Sequence, residues 1–338
     1  MEAYYCSKMN KPHQNVYHVM KTGLTALNTT ITLPMVEGKE LQEIFFQLRL
    51  DCPEIFYGVG YRYRYALDAS HIEMIPEYLF NKKKVKEHQQ ALGARVSKVI
   101  RPAAAMTEYQ KEQYIHDFIC NSIRYDKLKK AYSHEIIGPL GHGVGVCEGI
   151  AKTVKILCDH LGIWCIIAIS EANPDKQIKY RHAWNIVRID GTYYHLDATF
   201  DNTLSHNEEF RYDYFNLDDK QIFRDHEPVI YEVPVCSDGR RSYYREKKIS
   251  FTKMEDVSKR ALQAIRKGRP FIFHWRGGYL TREVLAELIE TLEQTARKKE
   301  RHAVVSLNRS QAVIHVNFSD RVSEKEYVLE EANEGETL

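Results

Sequence analysis

A glycine-rich loop runs into an amphipathic segment at Gly141-His142-Gly143-Val144-Gly145-Val146-Cys147-Glu148-Gly149. Glycine at three of the first five positions favours positive φ angles and a close approach of the backbone to another molecule. Beyond the loop, apolar residues recur at the roughly 3.6-residue period of a helix, at Cys147, Ile150, Ala151, Val154, Leu157, Cys158 and Leu161. The pattern predicts a buried helix that begins at Cys147 and that a left-handed cap ends at Gly162.

A cysteine in the first turn of a helix is well placed to act as a nucleophile. Unpaired N–H groups and the positive end of the helix dipole stabilise a thiolate there, and thiol pKa values at such positions fall to about 3.5–7.5. The same N–H groups can bind the oxyanion of a tetrahedral intermediate. The competing interpretation of Cys147 is a small buried hydrophobic residue. That interpretation is sufficient for Cys158, on the helix stripe, and for Cys165, inside a strand predicted at 164–169.

A second pattern is a β-hairpin predicted over residues 181–200, with Asp190-Gly191 at its turn. Asp-Gly favours a two-residue turn. The register that follows from this turn puts His182 and Asp197 on one face of the sheet as diagonal neighbours. An imidazole–carboxylate hydrogen bond is then within reach, and it would orient the ring and stabilise an imidazolium. A three-residue turn would shift the register by one residue and separate the two side chains.

Two alternatives to this arrangement stay open in the sequence. His195 lies on the same face as Asp197 and is a rival base, but its position in the middle of the strand favours a packed, hydrogen-bonded histidine. His182 is preferred because it lies at the strand end beside a loop. A metal site formed by His134, His142 and Cys147 is the weaker idea, since their spacing is not that of a zinc module. We therefore expect neither a metal nor a cofactor.

In this order and spacing the motifs resemble the transglutaminase-like superfamily in its prokaryotic, papain-related form. The resemblance extends over about residues 114–202 and rests on the segments 115–120, 125–126, 141–149, 181–185 and 194–201. It implies an α+β fold with a papain-like core. It also implies that Cys147 is the nucleophile, that His182 is the general base and acid, and that Asp197 is the orienting carboxylate.

The resemblance further implies thiol-dependent acyl transfer on a peptide or amide, by hydrolysis or by transamidation. The alternative is a non-catalytic module that keeps the fold for binding. A second oxyanion donor is expected upstream of the cysteine, in the region of Tyr132, and Asp201 and Asn202 are expected to cap a loop. The calcium-dependent animal cross-linking enzymes have Gly-Gln-Cys-Trp at the cysteine. Here Glu148 follows Cys147, so calcium dependence is not expected.

The length of the chain leaves room for further units around this core. With 338 residues, two or three domains are expected at about 150 residues each. We expect an N-terminal α/β unit at 1–102, the transglutaminase-like core at 103–235, a C-terminal α/β unit at 249–320 and an acidic tail at 321–338. Periodicity predicts helices near 16–27, 38–50, 82–100, 254–267 and 281–297, and strands at 55–65, 270–275, 303–307 and 312–318. The stretch 274–278 is either a polar loop over a ligand or, by preference, a plain connection between strand and helix.

Composition excludes several classes of protein. The chain is 43% hydrophobic and 28% charged, which is typical of a globular protein. Lys and Arg number 48 against 46 Asp and Glu, so a dedicated nucleic-acid binder is not expected. We find neither an apolar run of about 18 residues nor an apolar leader, so neither membrane insertion nor secretion is expected. Seven scattered cysteines without a CxxC pair favour a reducing compartment. We expect a cytoplasmic protein that acts on a peptide or protein amide, and the oligomeric state stays open.

Overall fold

The computed structural model describes residues 3–66, 68, 70–176, 178–205, 210–320 and 327–329. These residues form an α+β fold in which helices pack on antiparallel and mixed sheets. No helix within these ranges is both long and apolar enough to cross a membrane.

The N-terminal part combines helices with an antiparallel sheet of order β1-β3-β2. Its elements are α1 (Tyr4–Lys8), α2 (Lys11–Thr25), β1 (Ile31–Pro34), α3 (Gly38–Asp51), β2 (Gly58–Tyr65), β3 (His71–Tyr78) and α4 (Lys82–Ile100). The predictions for α3 and α4 are confirmed to within one residue. The sequence pattern does not predict β3, because Pro76 argues against a central strand. The structure accommodates this proline beyond residues 71–74, the part of β3 that pairs with β1.

The central part surrounds the helix predicted at Cys147. Its elements are α5 (Glu108–Ser122), β4 (Arg124–Tyr125), β5 (Val144–Gly145), α6 (Cys147–Leu161), β6 (Trp164–Ser170), β7 (His182–Ile189), β8 (Thr192–Leu196), α7 (Ala198–Leu204), β9 (Phe215–Leu217) and α8 (Asp219–Ile222). Gly162 ends α6 in the left-handed conformation, with φ 77°. The predicted bounds of this helix are confirmed.

The predicted hairpin register is also confirmed. Asp190 and Gly191 both have positive φ, 49° and 83°, as a two-residue turn of the favoured type requires. Across this turn Ile189 pairs with Thr192. The antiparallel sheet continues in the order β6-β7-β8-β9, so β7 is a central strand and α6 packs against it.

The C-terminal part is a five-stranded sheet of order β10-β11-β13-β12-β14 with two long helices. Its elements are α9 (Tyr243–Glu246), β10 (Ser250–Phe251), α10 (Met254–Arg266), β11 (Phe271–Trp275), α11 (Arg282–Arg297), β12 (His302–Asn308), β13 (Val313–Ser319) and β14 (Tyr327–Leu329). The predicted helices and strands of this unit are confirmed. Within the segment expected to be an acidic tail, β14 pairs in parallel with β12. The rest of that tail lies outside the described residues.

Buried side chains of the N-terminal and central parts pack into one continuous core. The C-terminal sheet and its helices α10 and α11 have an apolar core of their own. Polar contacts connect this unit to the central part: Asn308 donates to Asp213, and Gln311 donates to Asp225. The division into units at 1–102, 103–235 and 249–320 stays a prediction.

Candidate active site

Cys147 is the first residue of α6 and is 7% exposed. Val146 precedes it in extended conformation, with φ −95° and ψ 175°, and offers no polar side chain to cap the helix. The N–H groups of the first turn therefore keep their capacity to stabilise an anion. The thiol lies at the end of the helix where a thiolate is electrostatically favoured.

Packing within the protein explains the glycine that follows the cysteine. A Cβ atom on Gly149 would lie 2.1 Å from the carbonyl oxygen of Ser133. The same carbonyl accepts a hydrogen bond from the N–H of Val146 at 3.1 Å. Of the three glycines before the cysteine, Gly143 alone has a positive φ, 66°. Gly149 is thus required for the 131–134 turn to lie against the start of α6.

His182 and Asp197 are in direct contact. Nε2 of His182 is 2.5 Å from Oδ2 of Asp197. His182 begins β7, where it pairs with Ser170 of β6, and Asp197 follows the end of β8. Because Nε2 faces the carboxylate, Nδ1 is the nitrogen of His182 that a thiol or substrate would use.

Asp197 is fully buried and held by several donors. As the N-cap residue of α7, it accepts hydrogen bonds at Oδ1 from the N–H groups of Thr199 and Phe200, at 2.9 and 3.0 Å. Burial alone would raise the pKa of Asp197, but the imidazoles of His182 and His226 lower it well below its usual range. The carboxylate therefore stays ionised at neutral pH, next to the ring of His182.

Cys147 and His182 line the same cavity, which has a volume of about 410 Å³. Phe46 and Ile169 contribute apolar surface to it, and Arg181 contributes charge. The ring of His182 stacks on Trp184 and packs on Phe200, with ring centroids 5.7 and 4.6 Å away. The structure thus brings the three residues predicted for the site to one region, with the imidazole held by packing as well as by Asp197.

Sequence reasoning missed His226, the second imidazole on Asp197. Its Nε2 is 2.9 Å from Oδ2 of Asp197, and its Nδ1 is 2.9 Å from Oδ1 of Asp225. Since both nitrogens face carboxylate oxygens, both must donate, and the ring is an imidazolium. Burial lowers the pKa of His226, but the two carboxylates raise it above its usual value. We found no motif that marks this residue, which follows Asp197 by 29 positions.

His195, the rival base, is a packed core residue as the sequence favours. It is fully buried. Its Nδ1 accepts a hydrogen bond from the indole N–H of Trp184 at 3.0 Å, and its Nε2 is 2.8 Å from Oδ1 of Asp219. Because an indole nitrogen can only donate, the proton of neutral His195 is on Nε2. This ring has both nitrogens occupied away from Cys147.

Among the described residues, two clusters of side chains bring possible metal ligands together, and metal binding does not fit either of them. One consists of His182, Asp197 and His226, and the other of His195, Asp219 and Cys236. A metal at Nε2 of His226 would have to displace the proton that this nitrogen shares with Asp197. A metal at Nε2 of His195 would require an imidazolate, since Trp184 occupies Nδ1. The sequence also suggested a site of His134, His142 and Cys147. In the structure His134 contacts Glu148, and His142 packs against the ring of Tyr132.

A charged network, also missed by sequence reasoning, supports the first turns of α6. Lys152 is fully buried, and its Nζ lies 2.8 Å from carboxylate oxygens of both Glu135 and Glu148. Arg49 of α3 forms ion pairs with the same two glutamates. Burial would raise the pKa of Glu148, but Lys152, His134 and Arg49 lower it. The network ties α3 and the loop before α6 to the helix that carries Cys147.

The remaining predicted residues have structural positions. Asn202 donates to the carbonyls of Ile119 and Ile123 at 3.3 and 3.0 Å, at the end of α5. Asp201 accepts from the N–H groups of residues 213 and 214, so both side chains cap loops as expected. Tyr132 packs against His142 and is not part of the described cavity lining, which includes Tyr125 instead. The second oxyanion donor stays unassigned.

Comparison with known proteins identifies this region. Residues 97–198 match the family model of the transglutaminase-like superfamily. This part of the chain is therefore similar to the transglutaminase-like superfamily. All three predicted site residues lie within the matched range. No curated protein matches the chain significantly.

Several solved structures are similar to parts of this chain. One is a TGase, with 13% identity over 54% of this chain and 53% of that chain, at a TM-score of 0.29. Another is a candidate protease from Parabacteroides distasonis ATCC 8503, with 16% identity over 40% and 30% of the two chains and a TM-score of 0.25. A candidate cysteine protease from Cytophaga hutchinsonii has 16% identity over 42% and 62%, also at 0.25. The chain thus covers less than two thirds of each of these structures.

Proposed function

We propose that the protein catalyses thiol-dependent acyl transfer on peptide or amide substrates, with Cys147, His182 and Asp197 as its triad. One observation carries the proposal. The imidazole of His182 contacts buried, ionised Asp197 and lines the same cavity as a cysteine at a helix N-terminus. Transglutaminase-like proteins are typically cysteine-based enzymes, and the match over residues 97–198 supports this chemistry.

The proposed reaction has two half-reactions. In the first, Sγ of Cys147 attacks the carbonyl carbon of the substrate, and the N–H groups at the start of α6 bind the oxyanion. His182 then gives its proton to the leaving amine as the C–N bond breaks, which leaves a thioester on the cysteine. In the second, water or another amine attacks the thioester, His182 removes the proton of that nucleophile, and the C–S bond breaks to release the product and return the thiolate of Cys147. Hydrolysis and transamidation differ only in this last nucleophile.

Asp197 would act by orienting His182 and by stabilising the imidazolium that forms during the reaction. Four contacts hold its carboxylate: two N–H groups on Oδ1 and two imidazoles on Oδ2. Rotation of the carboxylate would break all four contacts. His226, whose pKa the two carboxylates raise, supplies a positive charge behind Asp197 when it is protonated, and we assign it a positioning role.

The cavity suits a peptide or protein side chain. Its volume of about 410 Å³ lies in the range of small-molecule sites, about 300–1,000 Å³. Arg181 of the lining pairs with Glu171, and Nζ of Lys129 lies 3.3 Å from the ring centroid of Tyr180. The lining includes the cations Lys129, Lys179 and Arg181 and the carboxylates Glu148 and Glu171, so the wall is mixed rather than strongly basic or acidic. We therefore propose an uncharged carboxamide or peptide bond as the reacting group.

Thiol labelling tests the proposed nucleophile. At pH about 6, a thiolate stabilised by imidazolium should react with iodoacetamide far faster than an ordinary thiol. Cys120 is the comparison thiol: it is more exposed than Cys147, and its Sγ also lies near an imidazole, 3.7 Å from Nε2 of His116, but it is not at a helix N-terminus. We expect Cys147 to be alkylated at least about tenfold faster despite its burial. Equal or slower labelling of Cys147 would contradict the proposal.

An activity screen separates the enzyme from the non-catalytic alternative. We expect cleavage or amine exchange on members of a peptide library, and loss of the product in Cys147→Ala but not in Cys120→Ala. A protein that binds library peptides equally well with and without Cys147, and yields no product in either form, would be a binding module.

A further inference from the structure

A second cavity, of about 830 Å³, lies between the central part of the chain and the C-terminal unit. Its walls include residues of α8, Arg245 of α9 and the stretch after β11 that the sequence leaves open between a ligand loop and a plain connection. It has no lining residue in common with the Cys147 cavity. The mechanism proposed above makes no use of it.

Positive charge dominates the lining of this cavity. Five cationic side chains contribute to the walls: Lys220, Arg224, Arg245, Arg276 and Arg309. The one carboxylate in this lining, Asp218, is engaged in capping α8, where it accepts from the N–H of Gln221 at 2.8 Å. For the whole chain the excess of cations over anions is only two, so the concentration of charge here is a local feature.

Among the described residues these arginines form no ion pair, although the charge of Arg245 helps to lower the pKa of Asp238. Arg224 donates to the backbone carbonyl of Ser310 at 3.2 Å. Elsewhere in the protein, arginines such as Arg181 pair with acidic neighbours. Four guanidinium groups around one cavity repel each other unless an anion lies among them.

Two buried hydrogen-bond donors in the lining also lack an acceptor. Nε1 of Trp275 and Nε of Arg245 are both buried and have no hydrogen-bond partner among the described residues. Both groups can only donate. A buried donor without an acceptor is destabilising, and a ligand rich in acceptor oxygens would offset this cost.

His274, at the end of β11, is exposed to the combined field of three arginines. It is buried, and its Nδ1 lies 2.9 Å from Oγ of Ser250. Burial, together with the charges of Arg245, Arg224 and Arg276, lowers the pKa of His274 to about 3. The ring is neutral at physiological pH, so it adds a polar wall without adding repulsion.

We propose that this cavity binds a small phosphorylated molecule through a diphosphate-type group. Guanidinium groups pair with the oxygens of phosphates and carboxylates two at a time, which favours an oxyanion over a halide. Five cations around about 830 Å³ exceed what a monoanion would neutralise, and the volume admits a ligand of nucleotide size. Tyr279, 94% exposed beside the cavity, is available to stack on a planar group.

Calorimetric titration of the full chain with inorganic pyrophosphate tests this site. We expect saturable binding that weakens as salt is raised from about 50 to about 300 mM, because the contacts are ionic. The double variant Arg276→Gln/Arg309→Gln should bind at least about tenfold more weakly. Both side chains are exposed, so the variant should fold. Arg266→Gln is the matched control: it is an exposed arginine of the same unit outside the cavity, and it should bind like the wild type.

Three outcomes would overturn the proposal. One is the absence of binding to both pyrophosphate and a nucleoside diphosphate at about 5 mM, which corresponds to less than about 3 kcal/mol of affinity. Another is equal weakening by Arg266→Gln, which would indicate diffuse charge rather than a site. The last is arginine-dependent binding to vesicles of anionic lipid without binding to pyrophosphate, which would indicate a membrane surface.

Discussion

At the scale of single residues, the site is a row of alternating carboxylates and imidazoles. Asp225 contacts His226, His226 contacts Asp197, and Asp197 contacts His182. Each buried charge has a partner of opposite sign, which burial in a medium of low dielectric constant requires. This row of contacts extends to the C-terminal unit, since Gln311 donates to Asp225.

Asp197→Asn tests the central carboxylate. The amide keeps the shape of the side chain but lacks the charge. The two imidazoles that contact Asp197 therefore lose their anionic partner. We expect the free energy of unfolding to fall by about 3–5 kcal/mol, as for one partner removed from a buried ion pair. If the protein is an enzyme, kcat should fall by about 10³-fold or more. Urea unfolding and turnover measure the two effects, and a variant as stable as the wild type would contradict the described pairing.

His226→Gln tests the second imidazole through pH. In the folded protein burial lowers the pKa of His226, but Asp197 and Asp225 raise it by more, so the pKa lies above its usual value. Its stabilising contribution is therefore complete below the unfolded pKa of about 6.5 and is lost as pH rises through the folded pKa. We expect the unfolding free energy of the wild type to exceed that of the variant by the largest margin near pH 6, and by a smaller margin as pH rises. A difference that does not change with pH would show that His226 holds no extra proton.

At the scale of elements, the position of the thiol depends on how closely a turn packs on a helix. The 131–134 turn lies against the start of α6, where Ser133 accepts from Val146 and leaves no room for a side chain on Gly149. Lys152, about one helical turn after Gly149, donates to Glu135, which directly follows the 131–134 turn. The first turn of α6 is therefore held by backbone and side-chain contacts together.

Gly149→Ala should disturb this packing. Its Cβ would meet a backbone carbonyl at 2.1 Å, so the turn must move, and we expect a loss of about 1–3 kcal/mol in the free energy of unfolding. Iodoacetamide labelling of Cys147 should change as well. Gly93→Ala in α4 is the matched control, because nothing lies within 4 Å of its Cβ. Alanine should stabilise that helix by up to about 1 kcal/mol. Equal stabilities of the two variants would contradict the described contact.

At the scale of the whole molecule, the C-terminal unit adds polar contacts to the central part of the chain. Asn308, buried at the end of β12, donates to Oδ2 of Asp213 at 2.9 Å. Asp213 is itself buried and also binds Arg211 and Tyr244. The cationic cavity lies along the same junction, so the two parts of the chain form it together.

Asn308→Ala tests this junction. The substitution removes a donor from a buried carboxylate, and we expect a loss of about 1–3 kcal/mol in unfolding free energy. Asn317→Ala is the control, an exposed position on β13 of the same sheet, where the change should stay within about 0.5 kcal/mol. Chemical denaturation monitored by fluorescence measures both. Similar losses in the two variants would mean that Asn308 contributes no more than a surface residue.

The sequence by itself determined the local features of this protein. Helical periodicity predicted α6 with Cys147 at its start, and the Asp190-Gly191 turn predicted the register that brings His182 to Asp197. Both follow from interactions between residues near each other in the chain, which leave a period or a turn signal. Only the tertiary structure revealed His226 behind Asp197, the arginines of the second cavity and Arg49 against Glu148. Those contacts join segments that are distant along the chain, and a distant pairing leaves no period or spacing in the sequence.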